Sequence, residues 1–441
     1  MGLRDLIVLI FVLGCIAMAM RKTWYGVLAL AIFSYLNPHA YAWGFVRSLP
    51  LFQVLFLVVA FKTLSEQDRQ PLPKDWRVKA FVLLWVYFFI TTTQAMLPQL
   101  AWPKFWFVTK IYLPFIFTLV LINTREKLHA LIITIASSIG IVAVKGGIFA
   151  VLHGFSARIY GPPATQFEDN NQFAVAVLIN VPLLILWYRE TQNKWIKRGL
   201  MVAIPLHYVC AVSSWSRGAL LAMSAMTLFV LLKSKRKYLA APLILVGAVL
   251  VVRALPDEWF HRMHTLETYQ EDASAQGRLE AWRDGWNFTL KHPLTGAGFD
   301  GWIWVTKRDW HSSYVEMFAE HGFVAFGIWL AMILGTLLDL RRLEKKAKPI
   351  PELRWVVNYS QMLRASFIAY MVGTAFLGLS YWDLLYHLIF ISVLTRQFAM
   401  RDFERVNKAR VEAVARGGGQ GPVRPASGFP GMAPLPGRSL G

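Results

Sequence analysis

Read from its first residue, the chain alternates long apolar runs with short polar intervals. The runs cover residues 6–20, 25–36, 49–64, 80–97, 105–122, 128–152, 173–187, 200–213, 219–232, 239–255, 312–338, 365–379 and 384–393. A membrane span takes about 20 apolar residues, and the first two runs are short enough that one is expected to be re-entrant or tilted. The pattern therefore predicts an all-α polytopic membrane protein with about twelve transmembrane helices. No internal repeat of the kind that marks many transporters interrupts it.

One polar interval is much longer than the rest, at residues 254–311. Within it Leu279, Trp282, Trp286 and Leu290 recur at helical spacing, which predicts an amphipathic helix lying on the membrane face or over a site. The following HPLTGAGF reads as a turn, with Pro293, Gly296 and Gly298 controlling the backbone. After residue 416 the chain turns Gly/Pro-rich and is expected to be disordered.

Composition agrees with this class: 56% of residues are hydrophobic and 16% charged, with a mean hydropathy of +0.43. The net charge of +20 would suggest nucleic acid in a soluble chain. Here the positive charge sits in short loops and the C-terminal tail, where topology and anionic lipid explain it, so no nucleic-acid partner is expected. Lys and Arg crowd 65–79, 123–127, 189–198, 233–237, 339–364 and everything after 396. These are alternate loops and are assigned to the cytoplasm; 98–103, 153–170, 214–218, 254–311 and 380–383 then face the periplasm. The N-terminal run lacks a small-x-small cleavage site before Arg21 and is expected to stay in the membrane, although Arg21 and Lys22 compete with Arg4 over its orientation. Cys15 and Cys210 lie in apolar runs without CxxC spacing and read as core residues.

Arginine is out of place in outer loops, and three ask for a reason. Arg158 precedes a span, Arg217 sits in the tight apolar turn SSWSRGAL, and Arg278 lies inside the long interval. Any one alone reads as a snorkelling or headgroup-contacting residue. A charge in the turn at Arg217 is costly enough to call for an anion, and three guanidinium groups on one side suit a diphosphate. His311 opens the next span, read at its first turn with Ser312 and Ser313 available to cap. A neutral imidazole there could serve as a general base; the bland reading is an interfacial histidine with a structural hydrogen bond. His321 reads as structural, Glu316 and Glu320 are poorly placed to orient His311, and Lys110 and Lys145 read as snorkelling cations.

Several chemistries lack their residues. There is no Asp-x-Asp pair in an outer loop, no phosphate-binding GxxxxGK[ST] loop and no GxSxG elbow. No metal and no cofactor are expected.

Ser216-Arg217-Gly218, Gly277-Arg278 with Trp282, PLTGAGF at 293–299 and His311-Ser312-Ser313-Tyr314 together resemble the bacterial O-antigen ligase/polymerase family. SYLNPHAYAWGF in the N-terminal half looks like a subgroup of exosortase-associated O-glycosylation ligases. The resemblance implies a GT-C-like, inverting, metal-independent glycosyltransferase of the bacterial inner membrane with its active site facing the periplasm. Its donor would be a glycan on undecaprenyl diphosphate and its acceptor lipid A–core. His311 would be the base, and Arg217 and Arg278 would bind diphosphate; Arg158 is added from its position. Residues 1–153 would then be N-terminal transmembrane helices, 154–338 the catalytic region including loop 254–311, 339–400 C-terminal transmembrane helices, and 401–441 a disordered basic cytoplasmic tail. A polymerase or protein-directed ligase of the same family would keep the same residues. A lipid-linked glycan flippase is the rival of another class, and the oligomeric state is left open.

Overall fold

A computed structural model describes residues 2–264, 273–306 and 308–415, and every regular element in them is helical. The first half contains α1 (Leu3–Arg21), α2 (Trp24–Tyr35), α3 (Leu51–Ser65), α4 (Trp76–Thr93), α5 (Pro98–Tyr112), α6 (Pro114–Leu121) and α7 (Arg125–Leu152). Next come α8 (Asn170–Glu190), α9 (Lys194–Val212), α10 (Arg217–Lys233) and α11 (Lys237–Ala254). The long interval supplies α12 (Asp257–His264), α13 (Ala273–Lys291) and α14 (Trp302–Val305). The chain then forms α15 (Ser313–Ala347), α16 (Arg354–Gly373) and α17 (Asp383–Ala415).

Among the described residues, six helices are long and apolar enough to cross a membrane: α1, α5 with α6, α7, α8, α11 and α15. The all-α polytopic membrane class is thus the observed one. The short element near the N-terminus is α2, of 12 residues, whereas α1 runs to 19 residues. The other apolar runs lie in helices that are shorter or carry charged residues at one end.

The described residues divide into two units, the first ending at Ala399 and the second beginning at Met400. Residues 401–415, expected within a disordered tail, are helical. The segment DFERVNKARVEAVA holds good helix formers and no Gly or Pro, and Arg405 pairs with Asp402 one turn away. The Gly/Pro-rich stretch from 416 lies outside the described residues.

The core gathers on α8, which packs against α7, α9, α10 and α16. Its run from Phe173 to Leu184 is buried all round, as expected for an apolar helix inside a bundle. Polar glue ties it to its neighbours: Asn180 Nδ2 donates to the Ala136 carbonyl at 2.9 Å and lies 3.2 Å from His207 Nε2.

Among the described residues most ion pairs collect at one end of the bundle. They join Arg125 to Glu190 at 2.8 Å, Lys233 and Arg364 to Glu344 at 2.8 and 2.6 Å, and Lys127 to Asp68 at 2.7 Å. The deepest centre is Arg77, fully buried, which reaches Asp75 at 2.7 Å and Asp339 at 3.1 Å while Arg396 adds a second cation at 3.2 Å from Asp75. All these residues come from the intervals assigned above to one membrane side, except Arg396, which borders one of them.

Burial alone would raise the Asp75 pKa, but hydrogen bonds and charge from Arg77, with the Arg396 charge, hold it below its ordinary 3.8. Stability from this cluster is therefore present above about pH 4 and lost as pH falls below it. Asp75→Ala leaves the buried Arg77 with Asp339 alone and should cost up to about 3–5 kcal/mol, read as a lower unfolding midpoint in detergent. Asp68→Ala removes an exposed partner and should shift that midpoint little.

Candidate active site

The opposite end of the bundle holds an open cleft lined by Asn171, Ser216, Arg217, Gly218, Arg278, Phe376 and Leu377, with about 450 Å³ of empty space including its mouth. Arg217 and Arg278 are thus brought together across 61 positions of sequence.

Each wall has a local cause. The turn between α9 and α10 opens the first: Ser216 is the N-cap of α10, its hydroxyl accepting from the Ala219 N–H at 3.3 Å. Arg217 is therefore the first helical residue, half-buried, at the end of α10 where free N–H groups and the positive dipole already favour an anion. Asn170 Nδ2 donates to the Ser214 carbonyl at 2.7 Å, which locks the start of α8 onto that turn and brings Asn171 into the cleft. Asp169 caps α8, accepting from the Asn171 N–H at 2.9 Å. The loop before it is pinned by Asn37, whose Nδ2 donates to the Pro163 and Ala164 carbonyls at 3.0 and 3.1 Å. The SYLNPH segment thus supports the site from a distance.

Arg278 comes from α13. The amphipathic helix expected at this position is present, and of its apolar residues Trp282 is half-buried against the protein. Gly277, Ala281, Gly285 and Thr289 are buried, and α13 packs on α15, whereas Leu279, Trp286 and Leu290 are exposed. Small residues let the two helices approach closely. At Gly277 a Cβ would collide with the Arg308 guanidinium, so the Gly-Arg pair makes room for a further cation beside Arg278. One turn along, Trp282 Nε1 donates to the Trp310 carbonyl at 2.7 Å and its ring lies 6.3 Å from that of Phe376. This joins the arginine helix, the chain entering His311 and the cleft wall.

His311 differs from expectation. It stands outside α15, exposed, with φ of 44°, and its N–H donates to Asp309 Oδ1 at 3.1 Å. Ser312 holds the N-cap position but makes no side-chain cap, and Ser313 bonds elsewhere. Its hydroxyl donates to the Leu377 carbonyl and accepts from the Leu379 N–H, both at 2.8 Å. The serines expected to cap instead fasten the cleft's far wall, because the segment after α16 crosses directly over the start of α15. His311 is not a lining residue, but lies two positions from that fastening. Left-handed backbone at a non-glycine costs roughly 1–2 kcal/mol, and here it turns the imidazole out of the helix line.

Arg158 is also outside the lining. It is exposed, its guanidinium 5.7 Å from the Trp215 ring centre, and Trp215 itself has φ of 58°. Arg158 therefore braces the turn that carries Arg217. Arg158→Ala should lower activity only partly; loss equal to Arg217→Ala would place it on substrate.

Glu316 and Glu320 bond to the segment after α16. Glu316 accepts from the Ser380 hydroxyl at 2.7 Å and its N–H at 3.0 Å, and Glu320 from the Tyr381 hydroxyl at 2.7 Å. Lys110 and Lys145 are exposed on the outside of their helices. Among the described residues no group of three or more His, Cys, Asp or Glu could hold a metal ion.

Sequence reasoning missed Asn171, Arg308, Phe376 and Leu377. Asn171 had a signal, being polar at the mouth of an apolar run; Phe376 and Leu377 are apolar residues at the end of one and had none.

Residues 3–192 match the model of a family of unknown function, and residues 200–330 match that of O-antigen ligase. No curated protein matches the chain. The second match spans Arg217, Arg278 and His311 together, so residues 200–330 form a domain similar to O-antigen ligase.

Proposed function

We propose that the protein is an O-antigen ligase that moves a glycan from undecaprenyl diphosphate to the lipid A–core, with inversion, at the outer face of the bacterial inner membrane. The observation that carries this reading is the shared cleft of Arg217 and Arg278 at the start of α10. Two guanidinium groups beside a helix N-terminus suit a diphosphate. The acceptor hydroxyl oxygen attacks the anomeric carbon as the bond from that carbon to the phosphate oxygen breaks. His311 takes the hydroxyl proton, and undecaprenyl diphosphate leaves with the bond's electron pair on its terminal oxygen, neutralised by the arginines. A diphosphate needs little acid assistance, so one base and several cations suffice.

The test is purified protein incubated with lipid-diphosphate glycan and lipid A–core, followed on a gel. Transfer supports the reading. Chain growth on the donor alone would make the protein a polymerase, transfer to protein a protein ligase, and passage of donor across vesicles without transfer a flippase. Activity is expected to survive EDTA; loss restored by magnesium or manganese would count against the arginine mechanism.

A further inference from the structure

The exposed apolar face of α13 is left unused by the cleft. Leu279, Trp286 and Leu290 are 50%, 48% and 57% exposed, and Leu294 in the following turn is 61% exposed. On the helix they form a stripe between the small-residue face packed on α15 and a polar face with Glu280, Asp284 and Asn287. Three faces in that order suit a helix lying along a bundle where hydrocarbon meets water.

Depth agrees. Asp339 of α15 belongs to the ion-pair cluster at the charged end. Counting about 20 residues from it, at ~1.5 Å each, carries α15 across a ~30 Å hydrocarbon core to near residue 320. At that level α13 and its turn touch α15. The Trp286 ring lies 5.7 Å from Phe318 and 5.4 Å from Phe323.

The turn itself docks into a kink. Gly322 has φ of 75°, which interrupts α15, and the 293–298 backbone takes up the freed groups. The N–H groups of Ala297 and Gly298 donate to the Ala319 and Glu320 carbonyls, and Phe323 N–H to the Pro293 carbonyl, all at 2.8 Å. Irregular backbone at hydrocarbon level is tolerated only when satisfied by protein in this way. On the other flank Tyr87 of α4 donates to the Leu294 carbonyl at 2.6 Å, next to Val86 and Ile90 on the exposed face of α4. The α13 stripe is thereby continuous with the outward apolar faces of α15 and α4.

We infer that the Leu279–Trp286–Leu290–Leu294 stripe is seated in the boundary of the lipid bilayer, its occupant being lipid acyl chains, so that α13 and Arg278 are held at the membrane surface. The inference does not depend on the reaction proposed above.

Single cysteines at Leu279, Leu290, Leu294, Glu280 and Asp284, in a Cys15→Ala/Cys210→Ala background, would carry an environment-sensitive fluorophore in nanodiscs with spin-labelled phospholipid. Labels at the three leucine positions should lose about half or more of their emission, and those at Glu280 and Asp284 little. Equal, weak quenching at all five would overturn the inference. So would disulfide cross-linking of two copies through the leucine-site cysteines. The unmodified chain gives a second reading: a photoreactive acyl chain should mark 286–294 as well as the exposed face of α4. Adducts on α4 with none on 286–294 would also overturn it.

Discussion

Arg278→Ala should reduce glycan transfer on the order of a hundredfold to a thousandfold, the usual cost of removing one preorganised donor to developing charge. The protein should still insert and accumulate, because Arg278 is half-buried and lines the cleft, while the close packing is made by the small residues Gly277, Ala281, Gly285 and Thr289. Arg217→Ala should do the same from the other wall. The double variant should lose far less than the product of the two, since both act on one leaving group. Lysine should restore little at either position if one planar fork holds two phosphate oxygens. The measurement pairs donor affinity with turnover. Weakened donor binding in both single variants is expected, and an Arg217→Lys protein as active as the parent would reduce that residue to a generic charge.

His311→Ala should cost about a hundredfold to ten-thousandfold in turnover, the range for loss of a general base, while donor affinity stays near that of the parent. The separation follows from geometry: Arg217 and Arg278 line the cleft, and His311 lies beside its wall on a left-handed residue two positions from Ser313. Lost donor binding would make the imidazole a phosphate ligand. Near-normal turnover would remove it from the reaction. Gly296→Ala offers a control of another kind. Gly296 has φ of 61°, and a Cβ would stand 2.5 Å from the Glu320 carbonyl carbon. That variant should displace the turn and destabilise the whole α13–α15 contact, lowering yield and unfolding midpoint along with activity.

Arg217 was legible because charge in a tight apolar turn is expensive, so it stood out within a single line of sequence. Arg158 stood out for the same reason and yet braces Trp215, because cost identifies a residue that needs a partner without saying which partner it finds. His311 was legible as the polar end of a span. Its exact relation to the helix was not, since Ser313 could cap α15 or bond Leu377, and the choice depends on where the segment after α16 crosses. Leu377 and Phe376 carry no local mark at all.

The sequence by itself determined the class, the apolar segments and the sorting of charged loops into two sets, because transfer of apolar and charged groups between water and lipid acts residue by residue and leaves a one-dimensional trace. Helix contacts leave a fainter one. The apolar spacing of Leu279, Trp282, Trp286 and Leu290 predicted an amphipathic helix on the membrane face or over a site, and Trp282 packs into the protein while the other three are exposed. The face that packs is the one whose small residues let backbones meet. Only the tertiary structure decided that face, the pairing of Arg217 with Arg278 and the recruitment of Asn171, because each rests on close packing between segments far apart in the chain.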